Sequence, residues 1–291
     1  VDISLYALTV LLWGTSWLAV KFQLGVVMPE VSLVYRFALA GAIMLALCLI
    51  GRRRMRFSRT DHLFFTLQGT CLFSTNYFFV YLGTQHLTTG LVAVVFSLVV
   101  VFNIMGSRIL FGTPFRLAVV AGAALGLAGI ALVFWPELKA FDPSRQSTIG
   151  ALQALVGTAI AALGMLTSAW NQQRRALPVL QSNAYGMLYG TILLTALTFA
   201  RGSPFAFDPT FAYTASLLYL SVFATVLAFW SYLTLVGRIG AERAAYATVL
   251  FPIIALALST WVEGFVWTAT AALGIALVLA GNVLILRKPG G

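Results

Sequence analysis

Charge is scarce in this sequence: Asp, Glu, Lys and Arg make up 9% of 291 residues, against about 25% in an ordinary soluble domain. So few charges cannot cover a water-facing exterior, which excludes a soluble globular protein and turns the exterior toward lipid. Cysteine and histidine are scarcer still. Cys48 and Cys71 both lie inside apolar runs, which excludes a disulfide framework, and with His62 and His86 they make no metal-ligand set. No Walker loop, HExxH or GxSxG is present and no acidic pair stands inside an apolar run, so the chain reads as neither an enzyme nor a cofactor protein. Repeated charged or carbonyl-presenting filter segments are also missing, which argues against a channel. The first apolar run has no basic leader or small-residue cleavage site and is expected to be a retained span.

Apolar length is plentiful, with 60% of residues hydrophobic. About 20 apolar residues cross a bilayer as a helix, and ten such runs lie near 5–25, 30–50, 63–85, 89–111, 115–135, 150–172, 180–200, 213–235, 241–262 and 266–286. Breakers, polar residues or charges mark the joints, among them Met28-Pro29-Glu30, Gly112-Thr113-Pro114 and Pro136 to Thr148. The net charge of +10 arises in short loops. With the N-terminus inside, thirteen Lys and Arg fall on inside loops and tail, four (Lys21, Lys139, Arg145, Arg201) fall outside, and Arg36 lies within the second run. That asymmetry puts both termini in the cytoplasm. The basic balance is then a signal of topology and lipid headgroups, with no nucleic-acid partner required.

The sequence also repeats itself. Gly122–Val133 matches Gly274–Ile285 at seven of twelve positions with an offset of 152, Tyr81 falls on Tyr232 at 151, and Trp17 falls on Trp170 at 153. Two units of five runs, 1–143 and 144–291, have an odd number of spans each. The second therefore enters the membrane from the opposite side, an inverted repeat of the kind found in secondary transporters. The expected fold is an all-α polytopic membrane protein with ten transmembrane helices as a 5+5 inverted repeat.

Several of these segments, taken in order, resemble the drug/metabolite transporter superfamily and, within it, the ten-span EamA branch. They are Leu11-Leu-Trp-Gly-Thr-Ser-Trp-Leu-Ala-Val-Lys21, Arg36-Phe37, the stretch from Tyr81 to Phe102 through a Thr-Thr-Gly joint, and the Gly-rich fifth and tenth runs. The resemblance implies a central cavity lined by spans 1, 3, 4, 6, 8 and 9. It also implies export of amino acids or other small metabolites across a bacterial-type inner membrane, with YddG-type aromatic amino-acid exporters the nearest comparison on overall pattern. Pro252 and Glu263 match features of the family's second unit, whereas Val101 and Gly112-Thr113 stand at the corresponding places in the first.

Polar groups inside spans are expensive and each is a pathway candidate. Asn76 is read as either a helix-to-helix hydrogen bond or a substrate contact, and Asn103 as the former. Lys21 reads as a snorkelling interfacial lysine. Arg36 reads as paired with carbonyls or Glu30, or as lining the pathway. Trp13 and Trp17, spaced i, i+4, form a mid-span stripe where no interfacial belt is expected; Tyr77 and Tyr81 repeat the spacing on span three. Trp170 and Tyr232 inherit the assignment as repeat partners, while Trp261 and Trp267 read as belt residues. The expected substrate-contacting set is Trp13, Trp17, Asn76, Tyr77, Tyr81, Ser97, Trp170, Tyr232 and Tyr246. Such a pocket takes apolar or aromatic small molecules and offers no phosphate cluster. With no buried acidic relay, facilitated or weakly proton-linked export is expected. The alternatives are an exporter of another metabolite or drug class and a non-transporting membrane scaffold. Gly122, Gly126 and Gly129 on span five, with Gly274 and Gly281 on span ten, permit close helix approach within one chain or across a homodimer.

Overall fold

The computed structural model describes residues 3–23, 25–262 and 267–286, all in helices and connecting turns. In chain order the helices are α1 (Ile3–Lys21), α2 (Pro29–Ile50), α3 (Arg59–Thr70), α4 (Asn76–Thr84), α5 (Thr89–Ser97), α6 (Val99–Phe111), α7 (Leu117–Val133), α8 (Trp135–Lys139) and α9 (Arg145–Gln173). They continue as α10 (Val179–Ala200), α11 (Phe211–Ser221), α12 (Ala228–Ile239), α13 (Ala241–Ala244), α14 (Ala247–Val262) and α15 (Ala269–Leu286). A π-helical turn, Cys71–Thr75, joins α3 to α4, and a second, Val222–Leu227, joins α11 to α12. Among the described residues, six helical stretches are long and apolar enough to cross a bilayer: Ile3–Val20, Pro29–Ile50, Leu91–Phe111, Arg145–Gln173, Phe211–Ile239 and Ala241–Leu258. Leu117–Val133 and Ala269–Ile285 are apolar but shorter.

Local chemistry sets the helix starts. Ser58, Thr88, Ser144 and Thr210 each accept a hydrogen bond from the N–H three residues on, opening α3, α5, α9 and α11. Ser58 and Asp61 complete a reciprocal capping box. Pro29 opens α2, where its missing N–H costs nothing. Gly112, at φ 70°, ends α6 in a conformation that a Cβ would oppose.

Burial runs opposite to that of a water-soluble protein. Leu49, Ile109, Leu117, Ile192, Phe199 and Leu273 face outward, while Gln68, Asn103, Asn171, Asn183, Thr225 and Ser231 are buried. In an apolar solvent the bundle hides its hydrogen-bonding groups and displays its aliphatic ones.

Corresponding details recur at a spacing of 150 or 151 residues. The C-terminus of α2 closes through Arg53 N–H to Cys48 O at 2.8 Å, and that of α10 through Ser203 N–H to Thr198 O at 3.2 Å, 150 residues later. The π turns begin 151 residues apart, at Cys71 and Val222. Helices α2 and α10 pack on each other, as do α7 and α15; α9 packs on α4 and α6, and α1 on α12 and α14.

Two local expectations are corrected. Span nine is interrupted at Ala245–Tyr246, and Pro252 lies inside α14. Span four is broken at Leu98, with no Pro or Gly at the break to signal it.

Candidate functional site

The second π turn gathers the candidate site. A π turn widens the helix by one residue and disturbs its i→i−4 ladder, and such turns recur at functional positions. Here the Ala224 carbonyl accepts the Trp13 indole N–H at 3.2 Å, and Thr225 Oγ1 accepts the Arg36 Nε–H at 2.7 Å. Helices α1 and α2 are thus both tethered to the turn between α11 and α12.

A chain of rings crosses the interior from there. Trp13 stands 6.3 Å from Phe251, 4.8 Å from Tyr232 and 5.2 Å from Phe229, centroid to centroid. Phe229 meets Phe73 at 5.0 Å, Phe73 meets Phe37 at 5.7 Å, and Phe37 meets Tyr77 at 5.1 Å. Several of these contacts are edge-to-face, each worth about 0.5–1.5 kcal/mol beyond the area buried. The Arg36 guanidinium caps the end of the chain, 5.5 Å from the Phe37 ring and 5.7 Å from the Tyr77 ring.

Arg36 is 7% exposed. Glu30, the expected partner, is engaged elsewhere: its Oε1 accepts from Ser203 Oγ at 2.6 Å and lies 3.5 Å from Arg201 Nε. Among the described residues, Thr225 is the one hydrogen-bond partner of the Arg36 guanidinium and no carboxylate pairs with it.

The structure therefore brings Trp13, Tyr77 and Tyr232 into one cluster. Tyr81 lies one turn beyond Tyr77 and within electrostatic reach of Arg36. Asn76 is buried, and its Oδ1 has no hydrogen-bond partner among the described residues. Ser97 is buried at the break between α5 and α6 and donates to the Val94 carbonyl at 2.6 Å. The side chains of Trp17, Lys21 and Trp261 lie outside the described residues, and Trp267 is exposed.

Two candidates sit apart from the cluster. The Trp170 ring packs 6.0 Å from Phe111 and beneath Arg174 at 5.8 Å, at the end of the bundle that carries the basic loops. Tyr246 is buried between α7 and α15, with its hydroxyl donating to the Val278 carbonyl at 3.0 Å and its ring against Gly126 and Gly281. Asn103 donates to the Val99 carbonyl of its own helix at 2.8 Å and reaches Met165 Sδ on α9 at 3.4 Å. Phe73, Thr225 and Phe229 are not singled out in the sequence because nothing distinguishes them from the surrounding apolar runs, and Phe37 is noted only beside Arg36.

Beyond the cluster, polar contacts tie the bundle at both ends. At the basic end, Arg175 donates to Asp61 Oδ1 through Nε at 3.0 Å and Nη2 at 2.6 Å, and His62 Nδ1 lies 2.7 Å from the Tyr189 hydroxyl. The Ser58 hydrogen bond, aided by Arg175, holds the Asp61 carboxyl down at about 2. Further in, Gln68 bridges Asn171 and Asn183, at 2.9 and 3.1 Å. At the opposite end, Gln23 Nε2 donates to the Tyr213 carbonyl at 2.9 Å and to Ser216 Oγ at 2.6 Å, and Ser32 meets the Tyr213 hydroxyl at 2.9 Å. No group of three metal-ligating side chains exists among the described residues. The central cluster can stack an apolar or aromatic group and present one cation; it offers no nucleophile set beside a base.

Comparison with known proteins places this architecture. A crystal structure aligns with a TM-score of 0.80 over 97% of this chain and 95% of its own, at 19% identity, which is a likeness of fold. The uncharacterized inner membrane transporter YedA of Escherichia coli is 26% identical, with 98% of this chain and 92% of the relative covered. A probable terminal-alkyne amino-acid exporter of Streptantibioticus cattleyicolor is 27% identical over 98% and 93%, and protein PagO of Salmonella typhimurium 22% over 97% and 91%. The sequence profile of the EamA-like transporter family matches twice, over residues 2–135 and 148–287, and the chain belongs to that family.

Proposed function

We propose that this protein is an inner-membrane secondary transporter that exports amino acids, aromatic or apolar ones included, or similar small metabolites. It works by alternating access to a central aromatic-lined site. The observation that carries this reading is the ring chain from Phe251 to Tyr77, pinned near its Phe251 end by Trp13 to the π turn and ended by the Arg36 cation. Such a wall buries an apolar side chain by area and stacking. The amino-acid exporter among the relatives supports the substrate class.

Alternating access needs two interchangeable halves. The double profile match and the π turns spaced by 151 residues support a 5+5 inverted repeat, with units 1–143 and 144–291 and both termini cytoplasmic. The Asp61–Arg175 pair and the Gln23–Tyr213–Ser216 contacts then act as closures at opposite ends of the pathway. Trp13, Tyr77, Tyr81 and Tyr232 line the substrate site, with Asn76 and Ser97 as polar contacts. Trp17 completes the Trp13 stripe, and Trp170 and Tyr246 act at the inner mouth and the helix seam.

The test is uptake by purified protein in liposomes against labelled aromatic, aliphatic, basic and acidic amino acids, with nucleosides as controls. Saturable amino-acid uptake that falls at least tenfold in Trp13→Ala is the expected result. Well-folded protein that moves no amino acid removes the assignment.

A further inference from the structure

We infer that Arg36 is an anion anchor, and that the molecule recognised at this site carries a carboxylate that docks on the terminal NH2 groups of its guanidinium. The inference rests on the transporter reading and names the chemistry its site selects.

A guanidinium has five N–H donors in a planar fork. In this structure Nε alone is engaged, by Thr225 Oγ1, which leaves the four donors on Nη1 and Nη2 without a partner among the described residues. The residue is nevertheless only 7% exposed, and its terminal nitrogens are not among the fully buried unpartnered atoms, so a bound group can reach them. A buried cation without a counter-charge is costly, and the Phe37 and Tyr77 ring faces offset only part of that cost. The nearest candidate carboxylate of the protein itself, Glu30, is held by Ser203 and Arg201.

Helix packing does not require the charge either. At the spacing of 150 that relates the ends of α2 and α10, Arg36 corresponds to Gly186, which packs its backbone against Gly69. One half of the molecule thus uses this position for close approach, and the other places a cation there. Thr225, fixed in the π turn, holds Nε and leaves the Nη1–Nη2 edge of the fork unengaged among the described residues, with Cζ 5.7 Å from the Tyr77 ring. A carboxylate takes that edge with two parallel hydrogen bonds, the geometry for which arginine is better suited than lysine.

Binding is measured on purified full-length protein in nanodiscs, by tryptophan fluorescence and thermal shift, with four probes: L-phenylalanine, L-phenylalaninamide, phenethylamine and 3-phenylpropanoate. The expected result is saturable binding of the two carboxylates at least tenfold tighter than of the amide and the amine, with the preference lost in Arg36→Gln and reduced in Arg36→Lys and Thr225→Val. Equal binding of carboxylate and amide by the unmodified protein overturns the anchor, as does unchanged preference in a folded Arg36→Gln or absence of binding by both carboxylates. Because the unmodified protein alone decides between carboxylate and amide, a variant that fails to fold does not stall the test. Carboxylate-selective binding without uptake in liposomes removes the transporter reading and leaves the anchor standing; uptake without carboxylate preference does the reverse.

Discussion

Trp13 makes one polar and several apolar contacts, and they are separable by substitution. Its indole N–H is tied to the Ala224 carbonyl and its ring lies against Tyr232, Phe229 and Phe251. Trp13→Phe removes the hydrogen bond and keeps most of the ring; Trp13→Ala removes both, and a buried aromatic truncated to alanine costs about 3–5 kcal/mol. Trp13→Phe is therefore expected to lower the melting temperature less than Trp13→Ala in detergent-solubilised protein, and equal losses would mean that the tether to the π turn dominates. Asp61 supports a pH prediction. Its carboxyl is held at about 2, below the ordinary 3.8, by Ser58 and then Arg175. A depressed folded-state value stabilises the protein above the ordinary value, and the gain is lost as pH falls from there toward 2. Asp61→Asn is thus expected to melt at a lower temperature than the parent at pH 7, with the gap narrowing below pH 4; a gap independent of pH would assign the effect to packing. Trp13 and the Tyr77–Tyr81 pair, singled out by i, i+4 spacing, do pack against one interior cluster. The role of Arg36 was less legible in the sequence, because a lone arginine in an apolar run does not say which neighbour faces it, and Glu30 turned out to serve Ser203 and Arg201.

At the scale of elements, composition and run length were enough to locate the helices, since a span must satisfy its own backbone. The π turns and the breaks at Leu98 and Ala245–Tyr246 were not legible, because they follow from contacts between helices and carry no Pro or Gly of their own. Repeat correspondence assigned two residues that the structure places differently: Tyr232 lies in the ring cluster beside Trp13 and Trp170 does not. Trp170, read as a cavity residue from its correspondence to Trp17, packs against Phe111 and under Arg174, apart from the central ring cluster. The glycine pattern of α7 and α15 translated directly into packing. A Cβ on Gly129 would stand 2.5 Å from the Gly274 carbonyl oxygen, and one on Gly274 equally close to the Gly129 carbonyl. Because the obstruction is backbone, neither helix can yield by a rotamer change. Gly129→Val is expected to cost more than about 1–3 kcal/mol, the usual range for overpacking, and to show as loss of monodisperse protein in size-exclusion chromatography. Near-normal stability of that variant would mean that the seam is looser than drawn. Since these glycine faces meet within one chain, a homodimer through the same spans has to use their opposite faces.

For the whole molecule, the distribution of charge joins topology to mechanism. The loops holding Arg52 to Arg59 and Arg174 to Arg175 meet at one end, joined by Asp61 and Arg175, and the loops holding Glu30 and Arg201 to Ser203 meet at the other. Arg52 to Arg59 and Arg174 to Arg175 thus gather at one end of the bundle, and in the proposed topology that basic end faces the cytoplasm. This predicts opposite accessibility for two single cysteines, placed in a background from which Cys48 and Cys71 are removed by Cys48→Ala and Cys71→Ala. In intact cells, a membrane-impermeant maleimide should label Gly202→Cys and leave Arg53→Cys unlabelled until the membrane is permeabilised. Labelling of Arg53→Cys in intact cells would invert the protein. The Asp61–Arg175 closure would then face outward, and the direction in which the Arg36 site opens would reverse with it.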